Sequence, residues 1–321
     1  MGEDYIYGVA RVHARETRLL GAGDIQQLMA CKTCDECLRV LTDKGWGAGD
    51  GNASPEAMLA AEEEKTWAFL KELTQDLEPF QALLAPADYN NLKAAIKCAG
   101  TGAPPEHVFL PGGTIEPEVL LRCVQEQDFS PLPPAMAQAA EEAYRRFLNT
   151  QDGQLCDIIL DRACLQAIQA CGERTGGLVA EYAELVTAAA DIKVAVRACR
   201  AGKNPEFIRA ALVPCATLDT DALAAAACQG LEELYALLAA TPYSQAAQRL
   251  KESSSAFEKW CDDQVMDRIK EEKHSYESVG PLFAYVLARR SEISTVRIIL
   301  SGKLNQLDDG MIRERLRDTY V

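Results

Sequence analysis

The sequence predicts an all-α protein built as three similar helical domains, and three observations carry that expectation. Apolar residues recur at helical spacing through almost every segment, and nothing alternates with period two for long enough to make a sheet. One residue pattern also occurs three times, at intervals of about a hundred residues. It consists of an aromatic, an acid about nine positions later, and an apolar–basic pair followed by a second apolar residue one turn on. Phe80, Asp88, Leu92-Lys93 and Ile96 make the first copy; Tyr182, Asp191, Ile192-Lys193 and Val196 the second; Phe283, Glu292, Val296-Arg297 and Leu300 the third. Solenoid repeats run about 20 to 50 residues, so this spacing belongs to whole domains, approximately 1–102, 103–204 and 205–321.

Taken in order, the elements agree with that division. The glycines of Gly45-Trp46-Gly47-Ala48-Gly49-Asp50-Gly51-Asn52 read as a flexible loop, and no strand precedes them as a nucleotide-binding fingerprint requires. Glu62-Glu63-Glu64-Lys65 reads as the solvated start of a helix, where acids complement the dipole. Pro105-Glu106 follows the first copy and Pro205-Glu206 the second. Each leads to the same phrase, Pro111-x-x-Thr114-Ile115 and Pro214-x-x-Thr217-Leu218. Ser130-Pro131-Leu132-Pro133-Pro134 and Thr241-Pro242 break the helical pattern at equivalent places, and the alanine-rich runs 135–143 and 222–227 are strong helix formers. Asp157-x-x-x-Asp161-Arg162 recurs as Asp263-x-x-x-Asp267-Arg268. Gly280-Pro281 suits a helix start, and the stripe Val286, Leu287, Ile293, Val296, Ile299, Leu300 and Leu304 keeps a 3.6-residue period beyond it.

Composition narrows the function. Lys and Arg total 33 against 48 Asp and Glu, a net charge of −15 that repels nucleic-acid backbones and anionic head groups and favours a basic or neutral protein partner. No apolar run approaches the roughly 18 residues of a membrane span, and Met1-Gly2-Glu3-Asp4 lacks the basic start of a signal peptide, so a soluble, cytoplasmic protein without a lipid anchor is expected. Of the 12 cysteines, Cys31, Cys34 and Cys37 have the sharpest spacing. A fourth ligand is missing at Leu41, and packing on one helical face accounts for them without a metal. The remaining cysteines suit a reducing compartment.

Few residues suggest chemistry. His13, His107 and His274 lie near no nucleophile motif, and neither a phosphate-binding loop nor a zinc-protease motif occurs. Asp262, Asp263 and Asp267 could converge on magnesium and a diphosphate, as in all-α isoprenoid synthases, although the neighbouring Arg268 equally suggests surface ion pairing. Lys93, Lys193 and Arg297 sit beside apolar positions; their stems are expected to cover the core while their heads pair with Asp88, Asp191 and Glu292.

The stretch from Tyr276 to Tyr285, continuing through Leu287-Ala288-Arg289-Arg290, Glu292 and Val296 to Asn305, resembles the signature of the rotary V/A-type ATPase connectors, known as the C subunit in prokaryotic complexes and the d subunit in eukaryotic ones. The ending Ile312 to Val321 is similar, as is the opening with Tyr7, Ala10-Arg11-Val12, Arg15, Leu19-Leu20 and Asp24-Ile25. The middle departs most: Asp191 stands two residues before Lys193, whereas Asp88 and Glu292 stand five before their bases. The resemblance implies a funnel of three similar helical domains that seats the rotor shaft, of D- and F-type subunits, on the membrane proteolipid ring. It implies a non-catalytic part without cofactors, peripheral to the membrane, that passes torque while other subunits carry out ATP chemistry and proton or sodium transport. A magnesium-dependent helical enzyme and a free-standing helical scaffold are the two other readings.

Overall fold

The computed structural model describes residues 5–49, 54–102, 104, 108–150 and 152–321. Among the described residues there are helices and no strands. Pro105-Glu106, His107 and Asp50-Gly51-Asn52 lie outside the described residues. The chain divides into two compact units, Met1–Leu77 with Gln248–Val321, and Glu78–Ala247.

The first unit joins the two ends of the chain. Its helices are α1 (Ile6–Glu16), α2 (Ala22–Ala30), α3 (Cys34–Asp43) and α4 (Pro55–Leu73) from the N-terminal part. The C-terminal part supplies α14 (Ser254–Glu271), α15 (Gly280–Leu304) and α16 (Asp309–Arg313). Thr33, Ser54 and Ser253 each accept a backbone N–H of the first turn of α3, α4 and α14, satisfying donors the helix cannot satisfy itself. Proline occupies the first turn of α4 and of α15, where its missing N–H costs nothing. The first ten residues of α15, from Gly280 to Arg289, are buried without interruption. Such a helix needs neighbours all round, and it packs against α1, α3, α4, α14 and α16. Leu28, Met29, Cys37, Leu41, Met58 and Leu59 meet Ile293, Val296, Ile299 and Leu300 in one core.

The second unit contains α5 (Gln81–Thr101), α6 (Pro117–Glu126), α7 (Pro134–Thr150), α8 (Gly153–Thr175), α9 (Gly177–Arg200), α10 (Pro205–Ala211), α11 (Thr220–Gln229) and α12 (Leu231–Ala239). The unit boundary falls within α13 (Ser244–Glu252). Helix α5 packs against α6, α7 and α8, and α9 packs against α8, α10, α11 and α12. Helices α8 and α9 turn back on each other through Gly176 and Gly177, both at positive φ (75° and 53°), a conformation glycine adopts without strain. Gly172 lets them approach closely, because a Cβ there would stand 2.8 Å from the Ala183 Cβ and 3.0 Å from the Ala180 Cα.

The three copies of the sequence pattern lie on three of the four longest helices, α5, α9 and α15, with Phe80 directly preceding α5. The alanine-rich runs lie in α7 and α11, and the proline breaks fall before α7 and between α12 and α13. The run Glu62-Glu63-Glu64-Lys65 corrects the reading of a solvated helix start. Helix α4 already begins at Pro55, so the run lies at mid-helix, and the packing of α4 on α15 leaves Glu62 only 4% exposed.

Candidate functional site: polar latches on the long helices

Each of the helices α5, α9 and α15 carries buried or half-buried polar side chains that hold the backbone of another segment. On α5, Asp88 accepts hydrogen bonds from the Thr114 N–H (2.7 Å), the Ile115 N–H (3.0 Å) and the Thr114 hydroxyl (2.7 Å). One turn on, Asn91 grips Leu110 from both sides: its Oδ1 accepts from the Leu110 N–H at 2.7 Å and its Nδ2 donates to the Leu110 carbonyl at 2.9 Å. On α9, Glu184 accepts from the Thr217 N–H (2.7 Å) and hydroxyl (2.6 Å), while Asp191 accepts from the Val213 N–H at 3.0 Å. The repeated Pro-x-x-Thr phrase thus has a physical role: its threonine presents an N–H and a hydroxyl to an acid on a long helix. On α15, Glu292 accepts from the Leu20 N–H.

Burial and donor count decide the electrostatics. Burial pushes the Glu184 carboxyl up, but hydrogen bonds from the Thr217 hydroxyl, the Ala216 and Thr217 amides and the Cys215 thiol outweigh it, and the net shift is downward. Asp191 is fully buried and its Oδ2 has no partner among the described residues. Burial therefore wins over the Val213 N–H and the Arg162 charge, and the carboxyl is pushed up to about 7.

Glu292 belongs to a buried ion network within the first unit. Arg289 pairs with Glu292 on its own helix and, through Nη2 at 2.5 Å, with Glu62 of α4. Glu62 also accepts from Lys65 Nζ (2.6 Å) and the Gly47 N–H (2.9 Å), and the Arg289 guanidinium lies 5.3 Å from the centre of the Trp46 ring. Burial raises the Glu292 carboxyl even against Arg289 and the Leu20 amide. Tyr320, near the chain end, donates its hydroxyl to the buried Glu16 of α1 at 2.8 Å, tying the C-terminal segment to the N-terminal helix.

The structure does not bring the six pattern residues together as three local pairs. Lys93 reaches Asp161 on α8 at 2.6 Å while Asp88 faces backbone amides; Lys97 likewise pairs with Asp157 at 2.6 Å. Asp191 points at Val213, and Arg297 is exposed with no partner among the described residues. The geometric reason is helical periodicity. An acid five positions before its base lies on a different face, so the acid turns inward and the base outward. Asn91, Glu184, Glu62 and Arg289 were not singled out by the pattern; only the tertiary contacts reveal them.

Most of the remaining candidates are engaged structurally, while Asp267 of the aspartate set is exposed on α14. Asp262 pairs with Arg317 (2.6 Å), and Asp263 pairs with Lys259 (2.7 Å). Cys34 and Cys37 are buried in the core of the first unit, with the Cys37 thiol donating to the Leu28 carbonyl at 3.4 Å and burial pushing it up to about 12. Cys31 donates to the Gln27 carbonyl, and His13 lies 2.9 Å from Glu16. His274 sits in a single turn of 3₁₀ helix before α15. Among the described residues no group of three or more His, Cys, Asp or Glu is placed to hold a metal ion, and no helix is long and apolar enough to cross a membrane. The arrangement is one for fixing helices and loops.

Comparison with known proteins gives that arrangement a context. The family model described as ATP synthase (C/AC39) subunit matches residues 8–315. The C subunit of the V-type sodium ATPase of Enterococcus hirae is 22% identical over 319 residues, covering 96% of this chain and 97% of the relative. The C subunit of the A-type ATP synthase of Desulfurococcus sp. is 24% identical over 341 residues, covering 98% and 90%. The C subunit of the V-type ATP synthase of Thermus thermophilus is 31% identical over 143 residues, 43% of each chain.

Proposed function

The chain belongs to the ATP synthase (C/AC39) subunit family, the C subunits of V/A-type rotary ATPases, and from that premise we propose that it is the non-catalytic connector of the central stalk. In this reading it seats the D- and F-type shaft subunits on the membrane proteolipid ring and passes torque between them, from a position peripheral to the membrane. The observation that carries the reading is the family match from residue 8 to residue 315, together with relatives aligned over nearly their whole length. The repeated pattern supports a division into three related helical domains, 1–102, 103–204 and 205–321, and the resemblance to the family implies their arrangement as a funnel around the rotor axis.

The latches fit a torque-bearing part. Asp88, Asp191 and Glu292 each hold a backbone N–H of a loop against a long helix, so a load applied to a loop is delivered to the helix. The excess of acidic residues favours a basic tip on the shaft, with an association that weakens as salt is added.

The test is assembly. Tagged protein expressed with its neighbours is expected to bring down the shaft subunits and the proteolipid ring in one complex. A chain recovered without either, under conditions where shaft and ring are both present, overturns the reading.

A further inference from the structure

The first unit contains a cleft whose charge runs against that of the chain. Its volume is about 460 Å³, and Arg15, Arg18, Lys44, Lys65 and Arg289 line it, in a protein of net charge −15. Three of these cations are already neutralised. Lys44 pairs with Asp24 at 2.5 Å, Lys65 with Glu62 at 2.6 Å, and Arg289 with Glu62 and Glu292. Glu72, also on the wall, faces Arg11 at 3.6 Å. Arg15 and Arg18 remain exposed and have no carboxylate partner among the described residues. Their neighbourhood is nevertheless ordered by packing: the Arg15 guanidinium lies over the Phe69 ring at 4.7 Å, with Arg11 over the same ring at 5.6 Å.

We propose that this cleft is a docking site for an acidic segment of a neighbouring protein subunit, whose carboxylates are taken by Arg15 and Arg18. The proposal rests on the reading of the chain as one component of a larger complex, and it identifies a partner of opposite charge to the basic shaft tip.

Three observations favour an acidic peptide over a small phosphate. Arg15, in the last turn of α1, and Arg18, in the turn that follows it, lie three residues apart on the cleft wall. In an extended peptide, side chains on one face repeat about every 7 Å, a separation that two long arginine side chains anchored three residues apart can span. Arg15 and Arg18 are exposed and take no part in the buried ion network, whereas a small oxyanion is held by donors converging on one point. Leu19, Trp46, Ala68 and Phe69 also line the cleft, supplying apolar surface for the carbon stems of glutamates.

The test uses the full-length chain and a fluorescein-labelled hexaglutamate peptide, with inorganic pyrophosphate as competitor, followed by fluorescence anisotropy at low salt. The peptide is expected to bind, to be released by added salt, and to lose about tenfold or more in affinity in the Arg15→Ala/Arg18→Ala double variant. Both side chains are exposed, so the variant should keep its helical circular dichroism, with a small fall in melting temperature from the lost Arg15 contact with Phe69. Arg209→Ala, which removes an exposed partner of Asp221 in the other unit, should bind as the parent does. Unchanged affinity in the folded double variant, or no binding by the parent, overturns the site. Displacement of the peptide by pyrophosphate at lower concentration than by unlabelled peptide overturns the acidic-segment assignment in favour of a phosphate ligand. Because the readout is peptide binding by the isolated chain, its failure leaves the assembly test of the connector reading unaffected.

Discussion

Asp191 and Asn91 do the same work with different chemistry. Each stands two residues before the pattern lysine and holds the backbone N–H of a loop residue, Val213 or Leu110. Asn91 also donates to the Leu110 carbonyl, whereas the second Asp191 oxygen has no partner among the described residues. Burial raises the Asp191 carboxyl from an ordinary 3.8 to about 7 in the folded protein. A raised acid pKa means that the folded state holds its proton where the unfolded chain has already lost one. This group's contribution to stability therefore falls as pH rises between about 4 and about 7 and is flat above, with a limiting slope of about 1.4 kcal/mol per pH unit. Asp191→Asn copies the first repeat and removes the titration. Urea denaturation is expected to show the variant more stable than the parent at pH 8, with the gap narrowing towards pH 4; a gap independent of pH contradicts the assignment. In the sequence three of the acidic latches left a trace, because Asp88, Asp191 and Glu292 share a pattern, whereas Glu184 left none. Nor did Asn91, since the pattern asked for an acid, and Glu62 was hidden in a run of three glutamates that only the packing of α4 on α15 distinguishes from a solvated face.

At the scale of elements, local chemistry specified the helices far better than their partners. Gly280-Pro281 opens α15, Pro131 and Pro133 precede α7 and Pro134 begins it, and the caps at Thr33, Ser54 and Ser253 are ordinary N-terminal signals. Nothing local announces that Lys93 meets Asp161 on α8, or that α1, α3 and α4 pack on a helix more than two hundred residues away. Ion pairs such as Lys93–Asp161, with the aspartate 59% exposed, contribute about 0–1 kcal/mol, so close packing carries most of the helix pairing. The crossing of α8 and α9 tests this directly. A side chain at position 172 meets the Ala180 backbone and the Ala183 Cβ, neither of which can swing away. Gly172→Val is expected to cost about 1–3 kcal/mol through overpacking, measured by urea denaturation. A stability equal to that of the parent would mean that the two helices are not pressed together at this point.

For the whole molecule, the compact units follow contacts while the repeats follow sequence. Helix α5, which closes residues 1–102, lies in the second unit, and the first unit is assembled from both chain ends, with Tyr320 bound to Glu16 and Leu20 to Glu292. The family could be read from the C-terminal stretch and the chain ends, but the closure of the ends on α15 depends on buried contacts between distant residues, which no local signal encodes. The central claim is that this chain couples a soluble ATPase head to a membrane rotor without any chemistry of its own. Its most direct test is ATP-driven ion uptake by reconstituted complexes prepared with and without this protein, with ATP hydrolysis measured alongside. The account predicts that omission leaves hydrolysis by the head intact and abolishes uptake, and that adding the purified chain back restores it. Ion uptake at the parental rate in complexes lacking the chain would contradict the account.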